Sequence, residues 1–552
     1  MKKVFLKYWP ILVILILSGL IVWPLFLPGY FSHHDDLQVM RIFEMRRCLQ
    51  DLQIPCRWVP DMGYGNGYPL FNYYNPFPYY IGGILSFLFG YLISAKILFF
   101  IPLVLGGISM YLLAKEVFNK EAGFVASILY IFAPYRALDS YVRGAVAESF
   151  AISLVPLVLY LALKLIKENS KRNLAFFSVT LAAFLTSHTI MSLLFAPVLL
   201  FMIIYWIWTE KKGLYVILGL FLGFGLSAFF VLPAYFEKDL VQIDNLTRLD
   251  LDFRAHFVTL PQLFLDRSWG YGASLLGSAD TISFQVGWPH WMVAFASIPL
   301  VIILKRKDKQ FLVFYLGIFL IFALSVFMTH NKSAFIWEEI GVLRFTQFPW
   351  RFLSVTIFAT AMLSAFLIYP LKGFLTRVLI VMLVLASIVL NWNYFRPKEF
   401  YFGMTDKTKL SGIEWDTQQK AAILDYLPVG ASEPSEPAPD KPIIRVGEAD
   451  IQSFEKRSNS FRLDINVKST ARIEIPMMDF PNWNVYENGK EIKHTNDNYV
   501  KRISISLPAG IHSISGKLTD TPIRVISNIV SLLSLAAIGY LTLYEKSKKY
   551  FK

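Results

Sequence analysis

Tyr8-Trp-Pro-Ile-Leu-Val-Ile-Leu-Ile-Leu-Ser-Gly-Leu-Ile-Val-Trp-Pro-Leu-Phe-Leu27 carries no charge and runs straight into Pro28-Gly-Tyr-Phe-Ser-His-His-Asp-Asp36. An apolar run of this length covers the ~30 Å hydrocarbon core of a bilayer. Its basic start and apolar centre also fit a signal peptide, but no small-residue cleavage site follows, so it is read as an uncleaved anchor. The acidic and imidazole groups of Ser32-His33-His34-Asp35-Asp36 then stand at a membrane surface. They are followed by Arg57-Trp-Val-Pro-Asp-Met-Gly-Tyr-Gly-Asn-Gly-Tyr-Pro-Leu-Phe-Asn-Tyr-Tyr-Asn-Pro-Phe-Pro-Tyr-Tyr80, a loop stiffened by Pro and packed with aromatics. A site that handles a polar headgroup on a lipid needs such a setting.

The rest of the chain agrees with the anchor. Its 552 residues are 55% hydrophobic and only 17% charged, which excludes a water-soluble globule of ordinary surface. Runs that can cross a bilayer lie at 8 to 27, 95 to 114, 145 to 163, 172 to 188, 190 to 208, 213 to 233, 311 to 328, 352 to 370, 374 to 392 and 523 to 544, with shorter candidates at 122 to 134 and 289 to 304. The expectation is a polytopic α-helical membrane protein of about 12 transmembrane helices.

Lys and Arg orient these spans, because they stay on the cytoplasmic side of short loops. Lys2, Lys3 and Lys7; Lys115 and Lys120; Lys164, Lys167, Lys171 and Arg172; Lys211 and Lys212; Lys305, Arg306, Lys307 and Lys309; Lys372 and Arg377; and Lys546, Lys548, Lys549 and Lys552 all fall on one face. Both termini are therefore expected in the cytoplasm of a multi-pass protein of the cell membrane. The stretch 80 to 93 would reverse every later loop if it crossed, so it is read as a short or re-entrant helix. The net charge of +13 needs no nucleic acid, since much of it lies in these anchors beside anionic lipid.

Four exoplasmic segments follow, 28 to 79, 135 to 144, 234 to 288 and 329 to 351, with a soluble part from about 393 to 522. The domain reading is a transmembrane module 1–392 with a long first exoplasmic loop 28–79, an exoplasmic β-rich domain 393–522, and a final helix with cytoplasmic tail 523–552. Within the β-rich part, Ile413 to Leu427 has the pattern of an amphipathic helix, and Glu433 to Pro442 is a Pro-rich extended linker. The alternating runs Phe461-Arg-Leu-Asp-Ile-Asn-Val and Arg502-Ile-Ser-Ile-Ser-Leu, with Asn488-Gly489 as a hairpin turn, then predict a small antiparallel β-sandwich. Cys48 and Cys56 either form a disulfide in the exoplasmic compartment or remain two thiols packed at the membrane surface.

Ser32-x-x-Asp35 matches a helix capping box, and Ile42, Met45, Leu49 and Leu52 follow at helical spacing among Arg41, Glu44, Arg46 and Arg47, which predicts an interfacial amphipathic helix. Asp35 has two readings, a helix cap or a reactive group, and His33, His34 and Asp36 could equally be solvated. Company favours a site. Arg136, Asp139, Arg143 and Glu148 surround another exoplasmic turn, His188 ends a span on the same side, and Arg344-Phe-Thr-Gln-Phe-Pro-Trp-Arg351 arrives there too. Clusters of ionisable residues meeting at one end of a helical bundle are not explained by solvation alone.

The string Ser32-His33-His34-Asp35, with Arg41, the run from Ile54 to Tyr80, Ala133 to Glu148, Ser187-His188 and Arg344 to Phe352, resembles the prokaryotic membrane proteins called 6-pyruvoyl-tetrahydropterin synthase-related. A soluble pterin synthase binds zinc through a set of histidines, and the eight histidines here are scattered without ligand spacing; pterin chemistry is set aside. The architecture is more similar to the GT-C glycosyltransferases, and Phe480 to Lys490 with Leu507 to His512 resembles the end of the YfhO-type membrane proteins of that superfamily. On this match His34 and Asp35 carry over as catalytic candidates. Asp36 stands where the family often has Gly, which leaves open which carboxylate acts.

The resemblance implies transfer of a sugar from a polyprenyl-phosphate donor to a glycan or protein acceptor in the cell envelope. An acceptor hydroxyl attacks only if a base takes its proton, work suited to Asp35. Departing phosphate favours planar, permanently charged Arg, here Arg41, Arg57, Arg143 and Arg351, although each could instead pair with lipid phosphates at the interface. Tyr68, Tyr73, Tyr74, Trp58 and Trp350 could stack on sugar rings or form an aromatic belt at the membrane boundary. Asp35, Asp36 and Asp139 could share Mg²⁺ or Mn²⁺ through oxygen ligands. Two rival classes are a transporter or flippase of lipid-linked saccharides, and a non-catalytic envelope assembly protein. The orientation is testable: a cysteine introduced within 433 to 442 labels from outside intact cells and one near 308 does not, and the reverse pattern would invert the topology.

Overall fold

The computed structural model describes residues 2–276, 280–305 and 307–550, the side chains of 2–7, 249 and 544–550 lying outside that description. The anchors Lys2, Lys3, Lys7, Arg306, Lys546, Lys548, Lys549 and Lys552 are therefore outside the described side chains. Among the described residues nine helices are long and apolar enough to cross a membrane: Tyr91–Val117, Val146–Glu168, Thr189–Glu210, Leu214–Phe236, Trp288–Lys305, Lys309–Thr329, Pro349–Ile368, Phe374–Tyr394 and Pro522–Leu543. Helices Lys2–Ile21, Lys120–Ile131 and Lys171–Ser187 stand at the remaining expected spans.

Lys120–Ile131 departs most from expectation. Its 12 residues rise only about 18 Å, because Pro134 forces the residue before it out of the helical region and Ala133 is extended at φ −65°, ψ 133°. The chain resumes as Pro134–Ala137 and a wide turn, Leu138–Arg143. At the centre of the bundle every residue of Leu353–Ile368 is buried, and its Ser, Thr and Ala positions allow the close backbone approach that helix packing in lipid favours.

The stretch 80 to 93 begins and ends at the same end of the bundle. Helix Phe77–Phe89 begins beside Asn75, whose side chain bonds Thr189 at 3.1 Å. It ends at Gly90, where the Asp406 carboxylate accepts the N–H groups of Tyr91 and Leu92, both at 2.8 Å. Thr189 and Asp406 both belong to the end of the bundle that carries the β-rich domain.

Strands β1 (Tyr30–Phe31) and β2 (Phe400–Tyr401) pair antiparallel. The C-terminal domain stacks a five-stranded sheet, in the order β4-β5-β10-β7-β8, on a three-stranded sheet, β3-β6-β9. These strands are β3 Ile443–Val446, β4 Ala449–Lys456, β5 Ser460–Val467, β6 Ala471–Met478, β7 Trp483–Glu487, β8 Lys490–Ile492, β9 Arg502–Leu507 and β10 Gly510–Leu518. Alternation decides which face is inside: Phe461, Leu463, Ile465 and Val467 of β5 are all buried. Asn488 and Gly489, at φ 47° and 82°, make the expected turn between β7 and β8.

Three local expectations are corrected. The capping box at Ser32 does not form: helix Gln38–Gln50 starts later, without a side-chain cap, because Ser32 is drawn to the backbone of Glu399. The amphipathic helix expected over 413 to 427 stops at Lys420 and resumes as the turn Ile423–Tyr426, with Ala422 left-handed at φ 57°. Trp58, Tyr68, Tyr73 and Trp350 form no belt; each is buried inside the protein. Cys48 and Cys56 are disulfide-bonded.

The β-rich domain sits on the first loop. Arg502 Nε donates to Asn66 Oδ1 at 2.6 Å, Lys456 Nζ to the Gly65 carbonyl at 2.6 Å, and the Met478 amide to the Asn66 carbonyl at 2.7 Å. Gly67 is required there, since a Cβ would lie 2.6 Å from the Trp58 indole nitrogen. Residues 392–431, between bundle and sandwich, form a strap across the bundle end, fastened by the β1/β2 pair and Asp406. Removing that cap with Asp406→Ala should cost about 1–2 kcal/mol, read as lower thermal stability in detergent, and Asp406→Asn should cost less; equal stability of all three would detach the strap from the helix start.

Candidate functional site

The backbone of the acidic loop is pinned before its side chains act. The amides of His34 and Asp35 donate to the carbonyls of Val142 and Arg143, both at 2.9 Å, joining the first loop to the wide turn that ends at Arg143. Gly144 makes this approach possible: at φ +70° its added Cβ would lie 2.3 Å from His33 Nδ1.

Asp35 is fixed from one side. Arg41 Nη1 donates to its Oδ2 at 2.6 Å and Gln38 Nε2 at 3.1 Å, while the Asp35 side chain keeps 34% of its surface open. Arg41 is buried, with its guanidinium 4.2 Å from the centre of the Tyr74 ring. Tyr79 holds Gln38 through a 2.8 Å bond. Asp36 turns away to Lys409 of the strap, 2.6 Å from Nζ, which also meets Glu414. Burial raises its carboxyl to about 6, against the pull of Lys409. His33, enclosed by Phe31 and Phe99, is lowered to about 3 by burial, and the exposed His34 bonds the Tyr271 carbonyl.

A second cluster lies against the first. Glu148, fully buried at the start of Val146–Glu168, takes Arg143 Nη2 at 2.9 Å, Arg351 Nε at 3.4 Å and the Tyr135 hydroxyl at 2.5 Å. Arg143 also pairs with Asp139 at 2.5 Å and lies over the Trp350 ring at 4.7 Å. His188 stands in the field of Glu148, Arg351 and Arg143. Arg136 projects into the bundle, donating to Ser153 Oγ at 2.8 Å beside Gly106, with Nε and Nη2 unbonded. Arg143 and Arg351 thus share two buried carboxylates, Glu148 and Asp139, and their planar guanidinium groups are of the kind that binds phosphate.

Sequence reasoning missed two residues of this neighbourhood, Asp425 and Tyr426. They come from the strap turn Ile423–Tyr426, which Tyr68 positions by donating to the Ala422 carbonyl at 2.8 Å and accepting the Tyr426 amide at 2.6 Å. Tyr426 stacks on Tyr73 at 5.5 Å and lies in the field of Asp425, Arg41, Arg351 and Asp35. Burial lifts the Asp425 carboxyl to about 7, with Arg41 pulling it down and Asp35 pushing it up. No motif marks this turn; only its fold-back reveals it.

Other expected residues lie elsewhere. Arg57 belongs to the junction with the last helix, bonding Asn72, Asn528 and the Phe229 carbonyl, with Asp520 at 3.5 Å. Arg344 is exposed on a surface turn. Asp35, Asp36 and Asp139 do not share one cation site; each is tied to a different side chain, Arg41, Lys409 and Arg143. Among the described residues no group of three His, Cys, Asp or Glu side chains is placed to hold a metal ion.

Fold and side-chain geometry define a polytopic helical membrane protein with a buried cluster of arginines and carboxylates at the end of the bundle and a C-terminal β-rich domain. The chain belongs to the 6-pyruvoyl-tetrahydropterin synthase related domain family of membrane proteins, whose model matches residues 71–397. No curated protein sequence matches it. Among solved structures it is similar to the mycobacterial arabinofuranosyltransferase AftD, at 13% identity and TM-score 0.44 over 72% of this chain and 27% of that one. It is also similar to the Archaeoglobus fulgidus oligosaccharyltransferase tethered to an acceptor peptide, at 16% identity and TM-score 0.41 over 78% and 61%. The chain thus spans about a quarter of the arabinofuranosyltransferase's length.

Removing the buried anion at the centre of the Arg cluster provides a direct check. Glu148→Gln leaves Arg143 and Arg351 without their shared partner and should destabilise the protein by about 3–5 kcal/mol, read by thermal unfolding in detergent; a change within error would mean that the arginines find another counter-charge.

Proposed function

We propose that this protein is a membrane glycosyltransferase that moves a sugar from a polyprenyl-phosphate donor to a glycan or protein acceptor of the cell envelope. The reaction takes place at the exoplasmic face, with both termini cytoplasmic and the β-rich domain exoplasmic. One observation carries the reading: Asp35 and Arg41, Arg143, His188, Arg351 and Asp425 arrive from five separate stretches of chain at one end of the bundle. They combine arginine guanidinium groups with two carboxylates in unlike settings, Asp35 paired with Arg41 and Asp425 buried by the strap turn.

The acceptor oxygen attacks the anomeric carbon of the donor, the bond from that carbon to the phosphate oxygen breaks, and the phosphate leaves with the electron pair. Arg143 and Arg351 stabilise the charge that develops on it. The acceptor proton must pass to a carboxylate. Asp35 Oδ2 is already engaged by Arg41 and Gln38. Asp425 makes no ion pair within 4.0 Å among the described residues, and its pKa of about 7 suits a base working near neutrality. Asp35 then acts by fixing Arg41 and the loop.

Transfer of labelled sugar from a panel of polyprenyl-phosphate sugars to envelope glycans tests both levels. Asp425→Asn should lower the rate by about 10²-fold or more and flatten the rise in rate from acid pH to about 7, whereas Asp35→Asn should lower the rate but keep that rise. If only Asp35→Asn flattens the profile, Asp35 is the base; if no donor is used by the native protein, the glycosyltransferase reading fails.

A further inference from the structure

Beside the end of the first helix, sharing no lining residue with the Arg cluster, lies an apolar groove of about 570 Å³. Leu25, Phe26, Phe89, Ile93, Ile97 and Phe100 form much of its wall. Its volume falls within the ~300–1,000 Å³ of ordinary small-ligand sites. Phe26, Phe89 and Ile93 expose roughly half or more of their surface, and they continue into the exposed Ile84, Phe87 and Leu88. The groove is therefore open sideways, toward the surface that faces lipid.

One lining residue does not belong in an apolar groove. Lys96 is buried to 9% exposure, and among the described residues its ammonium donates one bond, 2.6 Å to the Leu27 carbonyl, beside the Phe400 ring at 5.8 Å. Among the described residues no carboxylate lies within 4.0 Å of it. Asp406 also lines the groove, but its two oxygens are spent on the Tyr91 and Leu92 amides, where the positive helix end offsets its charge. A buried ammonium has three donors to satisfy, and leaving its charge without a counter-ion is costly. Lys96 lies five residues, about 7–8 Å, below the start of its helix at the β-domain end, close to headgroup depth.

We propose that this groove is a binding site for an anionic phospholipid, with one acyl chain along the apolar wall and a phosphate oxygen accepting from Lys96. The site stands apart from the Arg cluster and does not depend on the function proposed above. Because the Leu27 carbonyl and the neighbouring Gly29 belong to the chain that leads into β1, the lipid would brace the acidic loop from behind.

The test uses the full-length protein, stripped of lipid in detergent. Phosphatidylglycerol should raise its melting temperature more than phosphatidylcholine does, and sodium phosphate should have no effect. Native mass spectrometry should show one retained phosphatidylglycerol fewer in Lys96→Met, with affinity at that site weakened roughly fivefold. Ile93→Trp fills the groove without touching the charge and should lose the same lipid, so the proposal remains testable if Lys96→Met fails to fold. Equal shifts from the two lipids, an unchanged lipid count in both variants, or a matching shift from sodium phosphate alone would each overturn it.

Discussion

The site depends on a carboxylate held where water cannot reach it. Glu148 is buried on the first turn of a membrane helix and is stable there only because Arg143, from the turn just before it, and Arg351, from a distant segment, pair with it. That requirement fixes where the wide turn 138–143 ends and where the segment before Leu353 enters the bundle. The Arg143 carbonyl in turn accepts the Asp35 amide, so the position of the acidic loop follows from the same pairing. One electrostatic constraint thus sets the relative placement of three segments far apart in sequence.

The strap supplies what the bundle cannot. Helices arriving at a membrane surface present their ends, and the groups there point in many directions. Residues 392–431 cross that end and bring Lys409 to Asp36, Asp406 to the start of Tyr91–Val117, and the 423–426 turn to Tyr68 and Tyr73. Closing so long a loop costs little more entropy than closing a short one, and the fastenings are charge-assisted or backbone hydrogen bonds joined by the Tyr73–Tyr426 ring stack. The sandwich beyond the strap, seated on Gly65 and Asn66, fixes the strap from its other end.

Another ionic junction ties the last helix to the same loop. Glu237 accepts Arg524 Nε at 2.9 Å and Asn72 Nδ2 at 2.9 Å, and Thr521 bonds its other oxygen. Arg57 joins this group rather than the site, which shows how little a residue type alone says about role. An arginine in the aromatic loop suits phosphate recognition and helix docking equally well by its chemistry. Only the partner within reach distinguishes them.

Much of the architecture could be read from the chain because bilayer chemistry leaves few choices. Long uncharged runs must become helices that satisfy their own backbone, and alternating runs such as Phe461 to Val467 must become half-buried strands. The convergence of Asp35, Arg143, Glu148, His188 and Arg351 was legible for the same reason, since charges kept at one end of a bundle have only one another for company. What the sequence could not decide was pairing. Whether Asp35 capped a helix or held Arg41, whether Cys48 met Cys56, and whether Asp425 came near the site all turn on contacts between distant segments. Such contacts are set by the packing of the whole bundle against the strap and sandwich, and no local pattern of residues encodes them.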